Sequence, residues 1–117
     1  SEVREELFRL DYQYPNDMNV KRILAWAMLS DKSLDKAAQL YESLLSTSPA
    51  NEDYLNAGYC QWAKGDMKRA VELFREWMRK SGNDTEQLLD EFRNDTDTLK
   101  KYGISETDCY LMLSLVG

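Results

Sequence analysis

Histidine is absent from the 117 residues, and cysteine and proline occur only twice each. Without histidine the chain lacks the commonest general base and the commonest metal ligand. Cys60 and Cys109 have no C-x-x-C spacing. A structural zinc site needs four good ligands, so none is expected here, and no cofactor is implied. The two cysteines and scattered carboxylates form no visible nucleophile–base pair, which argues against an enzyme. Also lacking is any apolar run near the roughly 20 residues that span a bilayer, and no signal peptide is visible. No membrane partner is therefore expected. Nor is there a basic stripe: 15 Lys and Arg face 21 Asp and Glu, a net charge of −6, which argues against nucleic acid. The two thiols read as buried groups of a reducing compartment, hence a cytoplasmic setting.

What remains is an ordinary globular composition, 43% apolar and 31% charged, in a chain long enough for one domain with a modest core. Its organisation is periodic. Val3, Leu7, Leu10 and Pro15 precede Ala37, Tyr41, Leu44 and Pro49 by 34 residues, and a further step of 33 gives Ala70, Phe74 and Trp77. A period in this range marks a stacked helical-repeat protein, whose single units cannot bury their apolar faces alone.

Local signals agree with that period. Val3, Leu7 and Leu10 line one face of a helix over 2–13, which Tyr14-Pro15-Asn16-Asp17 ends. Asp17 caps a helix over 18–30 with Leu24, Ala25, Met28 and the stem of Lys21 facing inward. After the turn Ser30-Asp31-Lys32-Ser33, a helix begins at Ser33 whose apolar face is Ala37, Leu40, Tyr41, Leu44 and Leu45. Asn51 or Asp53 caps the next helix, through Lys64, and Gly65 turns the chain into a helix over 67–80. Ser81-Gly82-Asn83-Asp84 is a break. Beyond it the period fades into two short helices, the first carrying Leu88, Leu89 and Phe92, the second Leu99 and Tyr102. Gly103 reads as a C-cap. Ser105 and Asp108 then open a last helix in which Tyr110, Leu111, Met112, Leu113, Leu115 and Val116 are apolar nearly all round, a pattern that calls for burial.

Leu24-Ala25, Met28, Ala37, Tyr41, Leu44 and Pro49 in residues 18–50, with Tyr54, Ala57-Gly58, Gly65, Ala70, Phe74 and Trp77 in residues 51–82, resemble the tetratricopeptide repeat (TPR) family. Residues 1–17 look like the second helix of a preceding unit, so the chain is expected to be a piece of a longer protein. Residues 83–117 form a divergent helical cap. Gln61 stands where the family usually has an aromatic, and Gly82 replaces the closing proline. The resemblance implies an all-α, right-handed superhelix of helix pairs, about seven helices here. It also implies a protein-binding scaffold without enzymatic activity.

In such arrays the first helix of each pair lines a concave groove. The resemblance places Asn19, Arg22, Trp26, Leu29 and Ser30 there from one unit, and Glu52, Leu55, Asn56, Tyr59, Trp62 and Ala63 from the next. These residues lie off the packing stripes of their helices at spacings that share one face. An aromatic face of this kind suits a protein or peptide ligand. It is equally what internal core looks like. The C-terminal helix 105–116, or neighbouring repeats and domains of the parent chain, would then fill it and make this a structural or self-association module.

Weaker signals carry less. Arg22 and Asn56 occupy two positions of the family's carboxylate clamp, but Trp26 stands where that pattern has asparagine. Asp95, Asp97 and Glu106 have calcium-loop spacing, yet Lys100 occupies the glycine position. Asn83 and Asn94 begin glycosylation sequons that matter only in a secretory compartment. Lys68, Arg69, Arg75, Arg79 and Lys80 make a basic end, read as favourable charge near a helix C-terminus.

Overall fold

Short polar turns join a series of antiparallel helical hairpins in a computed structural model that describes residues 2–117, with side chains from Arg4 onward. The side chain of Val3 lies outside the described residues. Among them are eight α-helices and no strand: α1 (Glu2–Gln13), α2 (Met18–Ser30), α3 (Leu34–Thr47), α4 (Asn51–Lys64), α5 (Met67–Ser81), α6 (Thr85–Asn94), α7 (Thr96–Lys101) and α8 (Glu106–Val116). The protein is all-α, and consecutive helices pack on one another from α1 to α7. It measures 42 × 27 × 22 Å.

Caps explain most helix starts. Asp17 accepts from the backbone N–H groups of Asn19 and Val20, Asp66 from Arg69, and Asp84 from Glu86, each satisfying donors the helix leaves unpaired. Ser105 and Asp108 form a reciprocal capping box at α8, at 3.2 and 2.9 Å. At α4 the expected cap is corrected. Ala50 holds the N-cap position, and Asp53 reaches back to accept its N–H at 2.8 Å. Gly65 and Gly82 close α4 and α5 at φ +89° and +105°. Lys32, the counterpart of Gly65 one period earlier, takes the same left-handed backbone at φ +61°.

The inward stripes meet in one core. Leu24, Ala25 and Met28 of α2 pack with Ala37, Leu40, Tyr41 and Leu44 of α3, all buried. Ala57, Gly58, Ala70, Phe74 and Trp77 do the same between α4 and α5. At Gly58 of α4 the Phe74 ring of α5 fills the space a side chain would take. A Cβ there would lie 2.4 Å from Cε1 of Phe74.

Two expectations change. Helix α8 packs on α5 and α6, but only Cys109, Met112 and Val116 are buried, and Tyr110, Leu111 and Leu115 remain about half exposed. An 11-residue helix resting on one side of a bundle covers a stripe, not its whole circumference. The basic end is also more specific than expected. Arg75 of α5 donates to the carbonyls of Val116 at 3.1 Å and Leu115 at 3.0 Å, so it caps the C-terminus of α8. Arg79 pairs with Glu76 of its own helix.

Candidate functional site

The face expected to form a groove divides into a filled half and an open half. Leu29, Leu55, Tyr59 and Trp62 are all buried, with Trp62 only 7% exposed. Of the two readings of this face, open groove and internal core, Leu29, Tyr59 and Trp62 take the second, because α6, α7 and the turn after them fold back onto these three. The Phe92 ring of α6 lies 6.0 Å from Tyr59, 5.2 Å from Trp62 and 5.2 Å from Phe74, centroid to centroid. Aromatic rings at these separations and tilts attract one another beyond the area they bury. Leu99 of α7 joins the same core. Polar ties lock the arrangement. The Tyr59 hydroxyl donates to Asp95 at 2.7 Å, the Tyr102 hydroxyl to the carbonyl of Leu29, and Lys101 Nζ to the carbonyl of Ser30 at 3.2 Å. The filling helices are therefore α6 and α7, and not residues 105–116. Ala63 is partly buried at the end of α4.

The other half stays accessible. Asn19 and Glu52 are exposed, and Arg22, Trp26 and Asn56 are partly so. All five line one cleft of about 640 Å³ between α2 and α4, whose far wall is formed by Glu91 and Asp95. Leu55 and Tyr41 contribute to its lining from the core. The two tryptophans thus differ: Trp26 reaches this cleft and Trp62 does not.

Arg22 is not available to a ligand. Its Nε donates to both carboxylate oxygens of Asp53 at 3.0 and 2.9 Å, its Nη1 to Asn19 Oδ1 at 3.2 Å, and its Nη2 to the carbonyl of Ser48 at 3.0 Å. Asp53 is fully buried, and such an acid persists in the interior because it is paired and hydrogen-bonded. The clamp arrangement considered for Arg22 and Asn56 accordingly has its only lining cation committed to Asp53.

Beyond that neutral pair, Glu52, Glu91 and Asp95 leave the cleft acidic. Burial raises the carboxyls of both Glu91 and Asp95 above the ordinary range. At Glu91 the charges of Asp95 and Asp90 add to the rise, while at Asp95 the Tyr59 hydrogen bond lowers it. Tyr41 and Tyr59 are pushed upward by burial and remain neutral phenols. The thiols are inert for the same reason, with Cys60 pushed up to about 12 and Cys109 raised. Among the described residues no group of His, Cys, Asp and Glu is placed to hold a metal, and no helix is long and apolar enough to cross a membrane.

Sequence reasoning did not find Ile23, Tyr41, Asp53, Glu91 or Asp95 as cleft residues. A signal existed for one pair: Glu91 and Asp95 are four residues apart, a spacing that puts both acids on one helical face. For Tyr41 there was none, since its position reads as core. A comparison with protein-family models, with curated proteins and with solved structures returns no match for this chain.

Proposed function

We propose that this chain is a non-enzymatic interaction module of TPR-like helix pairs, with a right-handed superhelical course and a cytoplasmic setting. Its binding face is the open half of the concave surface. The observation that carries this reading is that Asn19, Trp26, Glu52 and Asn56, from equivalent faces of α2 and α4, line a single accessible cleft. Mixed aromatic and amide side chains on rigid helices suit recognition of an extended segment, where one indole supplies contact area and the amides meet backbone polar groups. Selection from a random peptide library tests it. Selected peptides are expected to lose binding to the Trp26→Ala and Asn56→Ala variants; a cooperative unfolding transition in each reports that it still folds, at a lower midpoint for Trp26→Ala because Trp26 packs against the core. Selection that yields only peptides indifferent to both substitutions overturns the assignment of the cleft.

A second reading, self-association, rests on the exposed apolar side of α8, where Tyr110, Leu111 and Leu115 are 47, 58 and 49% exposed. Sedimentation that does not vary with protein concentration would dismiss it.

A further inference from the structure

The chemistry of the cleft favours one class of segment, an inference that rests on the binding role assigned to it above. Arg22 is the only cation among the lining residues, and Asp53 neutralises it. Glu52, Glu91 and Asp95 remain without a cationic partner within the cleft. Asp95 is held in place by the Tyr59 hydroxyl, which fixes that carboxylate in the wall. Trp26 lines the same cleft, and an indole can stack with a planar cation.

An independent observation comes from Tyr41. It is 1% exposed, it belongs to the cleft lining, and its hydroxyl makes no hydrogen bond within the protein. A buried hydroxyl without a partner is costly, and native structures seldom leave one unless something else supplies it. An O–H donor calls for an acceptor, and a peptide carbonyl is one; the hydroxyl oxygen has less than 1 Å² of accessible surface, so its neighbours must shift to admit that carbonyl.

We propose that the cleft binds an extended peptide segment through an arginine, whose guanidinium pairs with Glu91 and Asp95 and stacks on Trp26 while the segment's backbone carbonyl accepts from Tyr41. Arginine fits better than lysine because its planar fork meets two carboxylates and lies flat on an aromatic face, whereas an ammonium is a strongly hydrated point charge. An acidic segment is disfavoured, because it would meet three carboxylates with no free cation.

The test uses three capped tripeptides, Ala-X-Ala, with X as arginine, citrulline or glutamate, followed by nuclear magnetic resonance of the whole chain. Arginine and citrulline share shape and differ in charge. The arginine peptide is expected to shift the Trp26 indole N–H and Asn56 side-chain signals saturably. Citrulline should bind at least about tenfold more weakly, the loss expected for a hydrogen-bonded charge pair, and glutamate should not bind. Added salt should weaken the arginine complex. Glu91→Gln should reproduce the citrulline loss, with Glu5→Gln on α1 as the control; unfolding midpoints report that both fold. Equal binding of arginine and citrulline at the same signals overturns the cation preference and leaves the cleft as a peptide site. If none of the peptides shifts these signals, and library selection also yields none that depends on Trp26, the binding role itself fails.

Discussion

Asp53 is fully buried and ionic, and its environment depends on one side chain. Arg22 contributes both Nε hydrogen bonds to it, and the Ala50 N–H contributes a third. Removing the cation leaves an uncompensated buried charge, so Arg22→Ala is expected to lower stability by roughly 3–5 kcal/mol. The double variant Arg22→Met with Asp53→Leu should cost less than Arg22→Ala alone, since it removes both charges. Urea unfolding of both variants decides this; a double variant no more stable than Arg22→Ala would contradict the cost assigned to the unpaired charge. Glu91 makes the opposite case, since its environment opposes its charge. Its raised carboxyl means that, just above the ordinary carboxylate range, the folded chain holds a proton that the unfolded chain has released. The group therefore penalises the fold at neutral pH, and the penalty is relieved as pH falls through the raised value. Glu91→Gln is expected to exceed the parent in stability at neutral pH, by a margin that shrinks in mild acid. A margin constant with pH would contradict the raised carboxyl. Comparing the two proteins at each pH cancels Asp108 and Glu76, whose lowered carboxyls contribute stability that acid removes.

At the scale of elements, the second helical hairpin is more tightly determined than the first. Gly58 and Phe74 occupy the places that Ala25 and Tyr41 hold one period earlier. The larger aromatic pressure comes from three neighbours, because Phe74 sits among Tyr59, Trp62 and Phe92 at centroid distances of 5.9, 5.7 and 5.2 Å. With the ring held on these sides, a methyl group at Gly58 has little room. Gly58→Ala is expected to destabilise by about 1–3 kcal/mol despite alanine's better helix propensity. A thermal midpoint equal to or above that of the parent would mean the ring moves freely. The element boundaries were largely legible beforehand. The starts of α2 and α8 followed from Asp17 and from Ser105 with Asp108, because capping acts within a few residues of chain. The start of α4 was misread, since Asp53 serves it from the third helical position and not from the cap itself.

For the whole molecule, the C-terminal helices are part of the core of the repeats. Leu88, Phe92 and Leu99 belong to the same buried cluster as Leu29, Tyr59 and Trp62. Ending the chain after Gly82 would leave that aromatic cluster open to water, a patch of the size that promotes association. The shortened chain is expected to bind a hydrophobic dye such as ANS and to lose its cooperative urea transition. A sharp transition without dye binding would show that the first five helices are self-sufficient.

From local sequence alone came the all-α class, the hairpin period from Pro15 to Pro49, most helix ends, and the apolar face of each of α2 and α4; that the two faces adjoin was an implication of the family resemblance. These rest on short-range rules of capping, turn chemistry and helical spacing. Which half of that face remains open was decided only by tertiary structure. Apolar spacing shows that Tyr59 and Trp62 want a partner, but not which segment provides it. The answer depends on closures such as Tyr102 to Leu29, 73 residues apart, and on the return of Phe92 from beyond the last regular repeat. Such contacts follow from how α6 and α7 dock as bodies. The same docking brings Glu91 and Asp95 into one cleft with Trp26, turning an aromatic face into an acidic cleft.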